Sequence, residues 1–537
     1  MISFRTPAVF LCLMVVAALF RFPLLAVRPM HCDEAVNADK FGTLLEQGRY
    51  EYSSQDFHGP TLYYLTLISA KIQGVRTYID LTEVTLRVVP AFLGVLLVGV
   101  HIFLVPWFGL RASAAAGLLT AVSPAMVYYS RYYIHETLLV FLTFCALLCL
   151  FGYCGQRRAI WAAGTGAFAG LMYATKETAI LPVASMLLAG LATLLTGKLK
   201  HAPPGQPRSG GARFSLPLPP LRHVALAAAA ALAVSALLMS SFLSHLSGIL
   251  DSLLAYRTYF SRGAGINTVH VHPWNYYLSL LLYFHSPGNP VWSEALIALL
   301  ALPGLWAAFS RKGVAGIHPL ALRFIAFYTL FMMAVYSLIP YKVPWNVLGF
   351  VQGEILLAGA GIAWLARRCR TRAAAIIVAG LAAAGVAHLG WLAWQSSTRY
   401  GADPCNPWVY AHTGKDVFRI AARLESLAAV YPAGDALPVE IVSRENLWPL
   451  PWYLRRFSGV SWRNGVSATA PNAPVILATP DMEPAIESKL YEQPPPGQRE
   501  MYMNLLDRYA ELRPRVEIRG YVAKPLWDDW RQRADGR

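Results

Sequence analysis

The stretch ETLLVFLTFCALLCLFGYC, Glu136 to Cys154, decides what kind of protein this is. After its opening glutamate it carries no further charge, and at 1.5 Å per residue it is long enough to cross a hydrocarbon core of about 30 Å as a helix. Arg131 and His135 stand just before it, and Arg157 and Arg158 just after. Working outward, similar stretches recur at 7–27, 86–106, 113–130, 159–175, 179–197, 223–243, 291–309, 320–340, 347–365 and 373–394. The sequence therefore predicts a polytopic α-helical membrane protein with about 11 transmembrane helices. The first stretch follows Arg5 and lacks a small-residue cleavage site, so it reads as a retained anchor rather than a signal peptide.

Composition agrees. Apolar residues make up 56% of the chain and charged residues 14%, whereas a soluble protein carries about 25% charged residues. So apolar a chain is not disordered. Seven cysteines without a CxxC pair exclude a disulfide scaffold or a zinc ribbon. The formal net charge of +16 would suggest nucleic acid in a soluble chain, but its placement says otherwise. If the N-terminus is cytoplasmic, the inside segments hold basic residues and no acid, from Arg5, Arg111, Arg157 and Arg158 through Lys198, Lys200, Arg208, Arg213 and Arg222 to the Arg367–Arg372 cluster. Lys and Arg favour cytoplasmic loops, so the surplus records orientation. The expectation is a cytoplasmic (inner) membrane protein with its N-terminus inside, its C-terminus outside, and no nucleic-acid partner.

Three segments then lie outside: 28–85, 244–290 and 396–537. In the first, Val36, Phe41, Leu44 and Leu45 share a helical face that Gly48 would stop, and Thr61–Gln73 reads as a second short helix. In the second, Leu246, Ile249, Leu250, Leu253 and Leu254 suggest an interfacial amphipathic helix. The third is long enough for its own core. Its runs Val439–Val442 and Val475–Ala478 read as buried strands, and 413–430 and 498–512 as helices, which makes a small extracytoplasmic α/β domain. Two domains are expected, at 1–395 and 396–537. The Pro- and Gly-rich 198–222 reads as a cytoplasmic linker.

Polar side chains gather at the outer ends of the apolar stretches: Asp33 and Glu34; His58; Arg131, His135 and Glu136; Lys176 and Glu177; His270 and His272; Lys342. Each has a structural alternative. Asp33 can cap a helix, Lys176 and Lys342 can snorkel to the interface, and Arg131 can pair with Glu136. Together on one membrane face, such carboxylates, imidazoles and lysines suit the binding of a metal and a phosphate. They equally suit a proton-coupled transporter.

The string His31-Cys32-Asp33-Glu34-Ala35 resembles the Asp-Glu motif of the GT-C glycosyltransferases, which include the protein O-mannosyltransferases and the aminoarabinose transferases of lipid A. Four further strings resemble later motifs of that superfamily in order: Phe57–Tyr64 (FHGPTLYY), Tyr129–Glu136 (YSRYYIHE), Leu171–Glu177 (LMYATKE) and Tyr341–Trp345 (YKVPW). The last pieces, with the outer C-terminal domain, look similar to a prokaryotic subfamily labelled flippase-activity-associated protein. The resemblance implies a GT-C fold with juxtamembrane helices. It also implies an inverting transfer of sugar from a polyprenyl-phosphate carrier to a protein or glycan acceptor at the outer face, among membrane lipids. It makes Asp33 the catalytic base or acceptor-orienting carboxylate, and Glu34 an acceptor-orienting or metal-holding one. His135 and Glu136 carry the second acidic motif, and Arg131, Lys176, Lys342 and His58 hold the lipid phosphate. His58 stands where the aminoarabinose transferases have a lysine. A divalent ion, with Glu136 and His272 as its candidate ligands, is the implied cofactor. The alternatives are a flippase or transporter for a lipid-linked sugar, whose spans would need more charge at mid-depth than Glu354 supplies, and a non-catalytic assembly subunit. The aromatic run Trp448–Tyr453 is open to sugar stacking or to packing, and Cys32 and Cys405, both expected outside, to a disulfide.

Overall fold

A computed structural model describes residues 5–54, 58–198, 219–266 and 268–535. Phe57, Lys200, Arg208, Arg213 and most of the expected 198–222 linker lie outside the described residues. The chain forms two compact units: one of Met1–Leu25, Gln47–Val75 and Val84–Tyr410, the other of Ala26–Glu46, Arg76–Glu83 and Ala411–Arg537.

The first unit is helical. Each of the eleven apolar stretches holds a helix: Arg5–Arg21, Glu83–Gly99, Val105–Val122, Glu136–Gln156, Ala159–Tyr173, Ile180–Lys198, Leu221–Met239, Ala295–Phe309, Pro319–Leu338, Leu348–Ala366 and Arg372–Ser397. By length and composition, seven helical segments of the described residues are fit to cross a membrane. One of them, Glu83–Val122, runs 40 residues and takes in the stretch 86–106 and the first part of 113–130. They join at Gly109, whose φ of 71° and ψ of 161° no helix accommodates and only glycine adopts readily. The stretch expected over 113–130 is broken. Its helix stops at Val122, Ser123 turns to an extended conformation, and Pro124 opens a short helix, Pro124–Tyr129. Proline drives the preceding residue out of the helical region. Some helices touch backbone to backbone. A Cβ on Gly361 would lie 1.9 Å from the Leu300 carbonyl oxygen, a close approach that small residues permit between membrane helices.

Two shorter helices match the sequence. Thr61–Gln73 forms as expected, and Ser247–Gly263 buries Gly248, Ser252 and Ala255 while Leu250, Leu253 and Leu254 stay exposed.

The second unit is a small α/β domain. Its strands are β1 (Val439–Val442), β2 (Val460–Arg463), β3 (Val475–Ala478), β4 (Tyr502–Asn504), β5 (Glu511–Arg513), β6 (Val516–Glu517) and β7 (Arg519–Ala523). The main sheet has the order β2-β1-β3-β7-β4, with β1 parallel to β2 and β3, and β7 antiparallel to β3 and β4; β5 and β6 make a separate ribbon. The β1 and β3 runs are buried throughout, as strands of a covered parallel pair should be, and the buried Glu440 of β1 is paired with Arg463 and Lys489. Helix Asp416–Ala428 lays Val417, Ile420, Leu424 and Leu427 on that core. The helix expected over 498–512 is absent. β4 and β5 occupy it, because pairing with β7 and β6 satisfies its backbone in extended form.

Candidate active site

In the first unit, two motifs far apart in sequence are stapled together. The Gly59 N–H donates to the Thr175 carbonyl (3.0 Å), and the Thr61 hydroxyl donates to the Ala174 carbonyl (2.7 Å). A Cβ on Gly59 would lie 1.9 Å from the Ala174 oxygen, so only glycine fits this contact. The staple brings His58 to Glu177. Glu177 Oε1 accepts from the Tyr52 hydroxyl (3.0 Å) and the His58 N–H (2.9 Å), and Oε2 lies 3.1 Å from His58 Nδ1. From helix Ser247–Gly263, Tyr256 donates to the Glu177 carbonyl (3.1 Å), and the Tyr259 hydroxyl lies 3.2 Å from His58 Nδ1. Burial next to the Glu177 charge raises the Tyr52 and Tyr259 phenols far above their ordinary range, so both stay protonated donors.

The second acidic motif meets the same turn. Lys176 forms a buried ion pair with Glu136. His135 Nε2 lies 3.2 Å from the Gly59 carbonyl oxygen, and its ring sits 4.9 Å from that of His58. Burial above all, then the neighbouring His58 and Lys176, hold the His135 imidazole neutral, well below the usual histidine range. Donation to Gly59 assigns its proton to Nε2 and leaves Nδ1, which has no hydrogen-bond partner among the described residues, as a bare acceptor. Arg131 donates to the carbonyls of Phe20, Arg21 and Leu24 at 3.0–3.2 Å, closing the last turn of helix Arg5–Arg21. A cavity of about 40 Å³ is lined by Leu139, Val140, Phe144, Leu147, Met332 and Leu356, with Thr178 and Asn346 beside them. Glu136 is the one charged side chain in this mainly apolar lining.

Lys342 is fully buried, and its ammonium donates to the carbonyls of His272 (3.2 Å) and Ile339. Burial lowers its pKa. The Tyr410 hydroxyl lies 2.6 Å from His270 Nδ1 and 3.3 Å from His272 Nε2.

In the second unit, Asp33 and Glu34 open helix Cys32–Gln47, where the helix dipole favours carboxylates. They behave differently. Glu34 is fully buried, bonded by Arg28 through both oxygens (3.0 and 3.1 Å) and by the His31 N–H (2.9 Å). The Asp33 N–H donates to His31 Nδ1 (3.1 Å), while its carboxylate is half exposed. Burial and the Asp33 charge push the adjacent Cys32 thiol up to about 12, against the pull of Arg513. The Trp448–Tyr453 run is partly buried, with Trp448 and Tyr453 half-exposed and Trp452 inside. Trp452 is 0% exposed, which leaves no face for a sugar, and its Nε1–H donates to Glu83 (2.9 Å). Tyr453 accepts from the Met30 N–H (2.8 Å).

The structure thus joins His58, His135, Glu136 and Lys176 in one cluster, with Lys342 beside the His270–Tyr410–His272 group. Sequence reading missed Glu177, which it placed in a turn without a role, and Arg28. The only signal for Glu177 was a carboxylate next to a lysine at a span mouth. The residues do not fit the implied divalent ion. Lys176 occupies Glu136, Tyr410 faces His272, and no group of three or more His, Cys, Asp or Glu among the described residues could hold a metal. All seven cysteines are free thiols, Cys32 and Cys405 included.

Residues 58–203 match the family model of dolichyl-phosphate-mannose-protein mannosyltransferases. The structure is similar to that of ArnT from Cupriavidus metallidurans bound to undecaprenyl phosphate, with a TM-score of 0.62 and 15% identity over 97% of this chain and 98% of that one. The apo state of the same protein gives 0.60 and 16%, over 96% and 97%. AglB from Archaeoglobus fulgidus, in complex with an inhibitory peptide and a dolichol-phosphate, gives 0.52 and 12%, over 90% of this chain and 70% of that one. No curated protein sequence matches. The matched family and these structures all belong to the GT-C glycosyltransferase superfamily, whose fold this chain shares. It is a multi-pass membrane protein of that architecture.

Proposed function

We propose that the protein is an inverting glycosyltransferase of the cytoplasmic membrane, N-terminus inside, which moves a sugar from a polyprenyl-phosphate carrier to an acceptor outside. The observation that supports this reading is a mainly apolar cavity between helices whose lining includes Glu136, the carboxylate that pairs with Lys176. An isoprenoid tail needs an apolar path between helices, and its phosphate needs cations where that path ends. A buried ammonium whose hydrogen-bond partners among the described residues are carbonyls, as at Lys342, is short of negative charge, because a buried ion is costly until paired.

In this reading Lys176 and Lys342 hold the phosphate, with His58, and Arg131 acts by fixing the helix end that it caps. The acceptor oxygen bonds to the sugar's anomeric carbon as the carbon–oxygen bond to phosphate breaks. Asp33, exposed while Glu34 is locked to Arg28, takes the acceptor's proton. Glu34 orients Asp33 through the His31 turn, and His135 with Glu136 serves the acceptor side. The domain 396–537 lies outside with the acceptor.

The test uses the full chain in nanodiscs. Undecaprenyl phosphate should bind, and Lys176→Ala and Lys342→Ala should each weaken binding tenfold or more. Transfer from labelled undecaprenyl-phosphate sugars should fall by about 10²–10⁴ in Asp33→Asn, with binding kept. Translocation of the lipid across liposomes without transfer would overturn the reading in favour of a flippase.

A further inference from the structure

We propose that Tyr410 is a positioning residue: its hydroxyl clamps His270 and His272 and so sets the Lys342 ammonium for the lipid phosphate. The proposal rests on the transferase reading above, in which Lys342 meets that phosphate. Residues 270–272 and 340–342 run antiparallel. Val271 pairs with Tyr341, the Lys342 N–H donates to the His270 carbonyl (2.9 Å), and the His272 N–H donates to the Pro340 carbonyl (3.1 Å). The Lys342 ammonium then turns back onto the His272 carbonyl (3.2 Å). One short strand thus holds Lys342 by its backbone and by its side chain.

An isolated pair of strands this short is marginally stable on its own. His270 and His272 stand two residues apart in extended backbone, so their rings project to the same face. Tyr410 lies across both, with its hydroxyl 2.6 Å from His270 Nδ1 and 3.3 Å from His272 Nε2. A phenol has one proton to give and lone pairs with which to accept. The shorter distance assigns that proton to His270 Nδ1, and the oxygen then accepts from His272 Nε2–H. Val271, on the opposite face, is exposed.

The clamp is itself anchored. The Tyr129 hydroxyl donates to the Trp408 carbonyl (2.9 Å), and the Trp408 N–H donates to the Asn406 side-chain carbonyl (3.1 Å). The Asn406 amide donates in turn to the carbonyls of Ser396 and Tyr400, both at 3.1 Å. The Tyr410 ring also meets Trp345 edge-on, with centroids 6.1 Å apart, three residues beyond Lys342. Tyr410 therefore ties a fixed segment to both sides of the 270–272 and 340–342 pairing. A phosphate binds a pre-placed ammonium more tightly than one it must order, because immobilising a long side chain costs binding free energy.

The test uses the full chain in nanodiscs. Tyr410→Phe keeps the ring and removes only the hydroxyl. Main-chain hydrogen exchange in peptides containing His272 and Lys342 should become about threefold faster or more. Undecaprenyl phosphate should bind the variant about threefold to tenfold more weakly. That loss should persist in a Lys176→Ala background and vanish in a Lys342→Ala background, since Tyr410 acts through Lys342; a general loss of packing would weaken both equally. Unchanged exchange, unchanged or tighter binding, or an equal loss in the Lys342→Ala background overturns the proposal and leaves the transferase reading standing. No binding of undecaprenyl phosphate to the unsubstituted protein, or binding that Lys342→Ala leaves intact, overturns that reading of Lys342 and the proposal with it. Should Tyr410→Phe fail to fold, His270→Phe removes the other end of the 2.6 Å bond and should give the same faster exchange and weaker binding; the absence of either there also overturns the proposal.

Discussion

Arg28 clasps Glu34 through two parallel N–H···O bonds of 3.0 and 3.1 Å, with both side chains buried. Removing one partner strands the other's charge. Arg28→Ala is therefore expected to destabilise the protein by about 3–5 kcal/mol. The double variant Arg28→Ala/Glu34→Ala should lose less than the sum of the two single changes. Thermal unfolding of all three checks this, and additive losses would show that the pair is not coupled.

Gly59→Ala should be severe. The added carbon would lie 1.9 Å from a backbone oxygen, which cannot rotate away as a side chain can. An overpacking cost of about 1–3 kcal/mol and loss of the His58 geometry are expected together. Ala174→Gly should not rescue it, because the obstacle is the carbonyl. Tm and undecaprenyl phosphate binding are the measurements.

Acid should weaken the fold through His135. Its folded-state pKa lies well below the usual value because burial disfavours the charged ring, so the unfolded chain binds the proton first. Stability is then complete above the unfolded value of about 6.5 and falls as pH drops below it. His135→Gln should flatten that fall between pH 7.5 and 5. An unchanged pH profile of Tm would remove His135 as its source.

Trp452→Phe should cost about 0.5–1.5 kcal/mol by losing the bond to Glu83. With the ring wholly enclosed, acceptor affinity should not change. A loss of acceptor binding at constant stability would return the aromatic run to a sugar-binding role.

Much of the fold was legible because a bilayer imposes long uncharged runs, and these stand out in any window of the chain. The helix Thr61–Gln73 and strand β3 were legible for a related reason: their apolar pattern is continuous or periodic over the whole element, and β1 departs from it only at Glu440. The segment 498–512 was not, since its shape depends on neighbours in the sheet that its own residues do not announce. The site divides in the same way. Charged residues at the outer ends of spans were visible one by one. That Lys176 pairs with Glu136, that Arg131 spends its guanidinium on carbonyls, and that Arg28 rather than a ligand fills Glu34 are facts of tertiary geometry. Glu177 escaped notice because nothing in the string Lys176-Glu177 says which of the two meets His58.

Helix Ser247–Gly263 turns leucines outward and sets Tyr256 and Tyr259 on the Glu177–His58 pair. One rigid rod therefore carries exposed leucines on one face and the tyrosines that meet the Glu177–His58 pair on the other. On the proposed function, bilayer thickness and lateral pressure act on that rod and, by tilting or rolling it, change the wall of the proposed site. Turnover should then differ between detergent micelles and bilayers of different chain length.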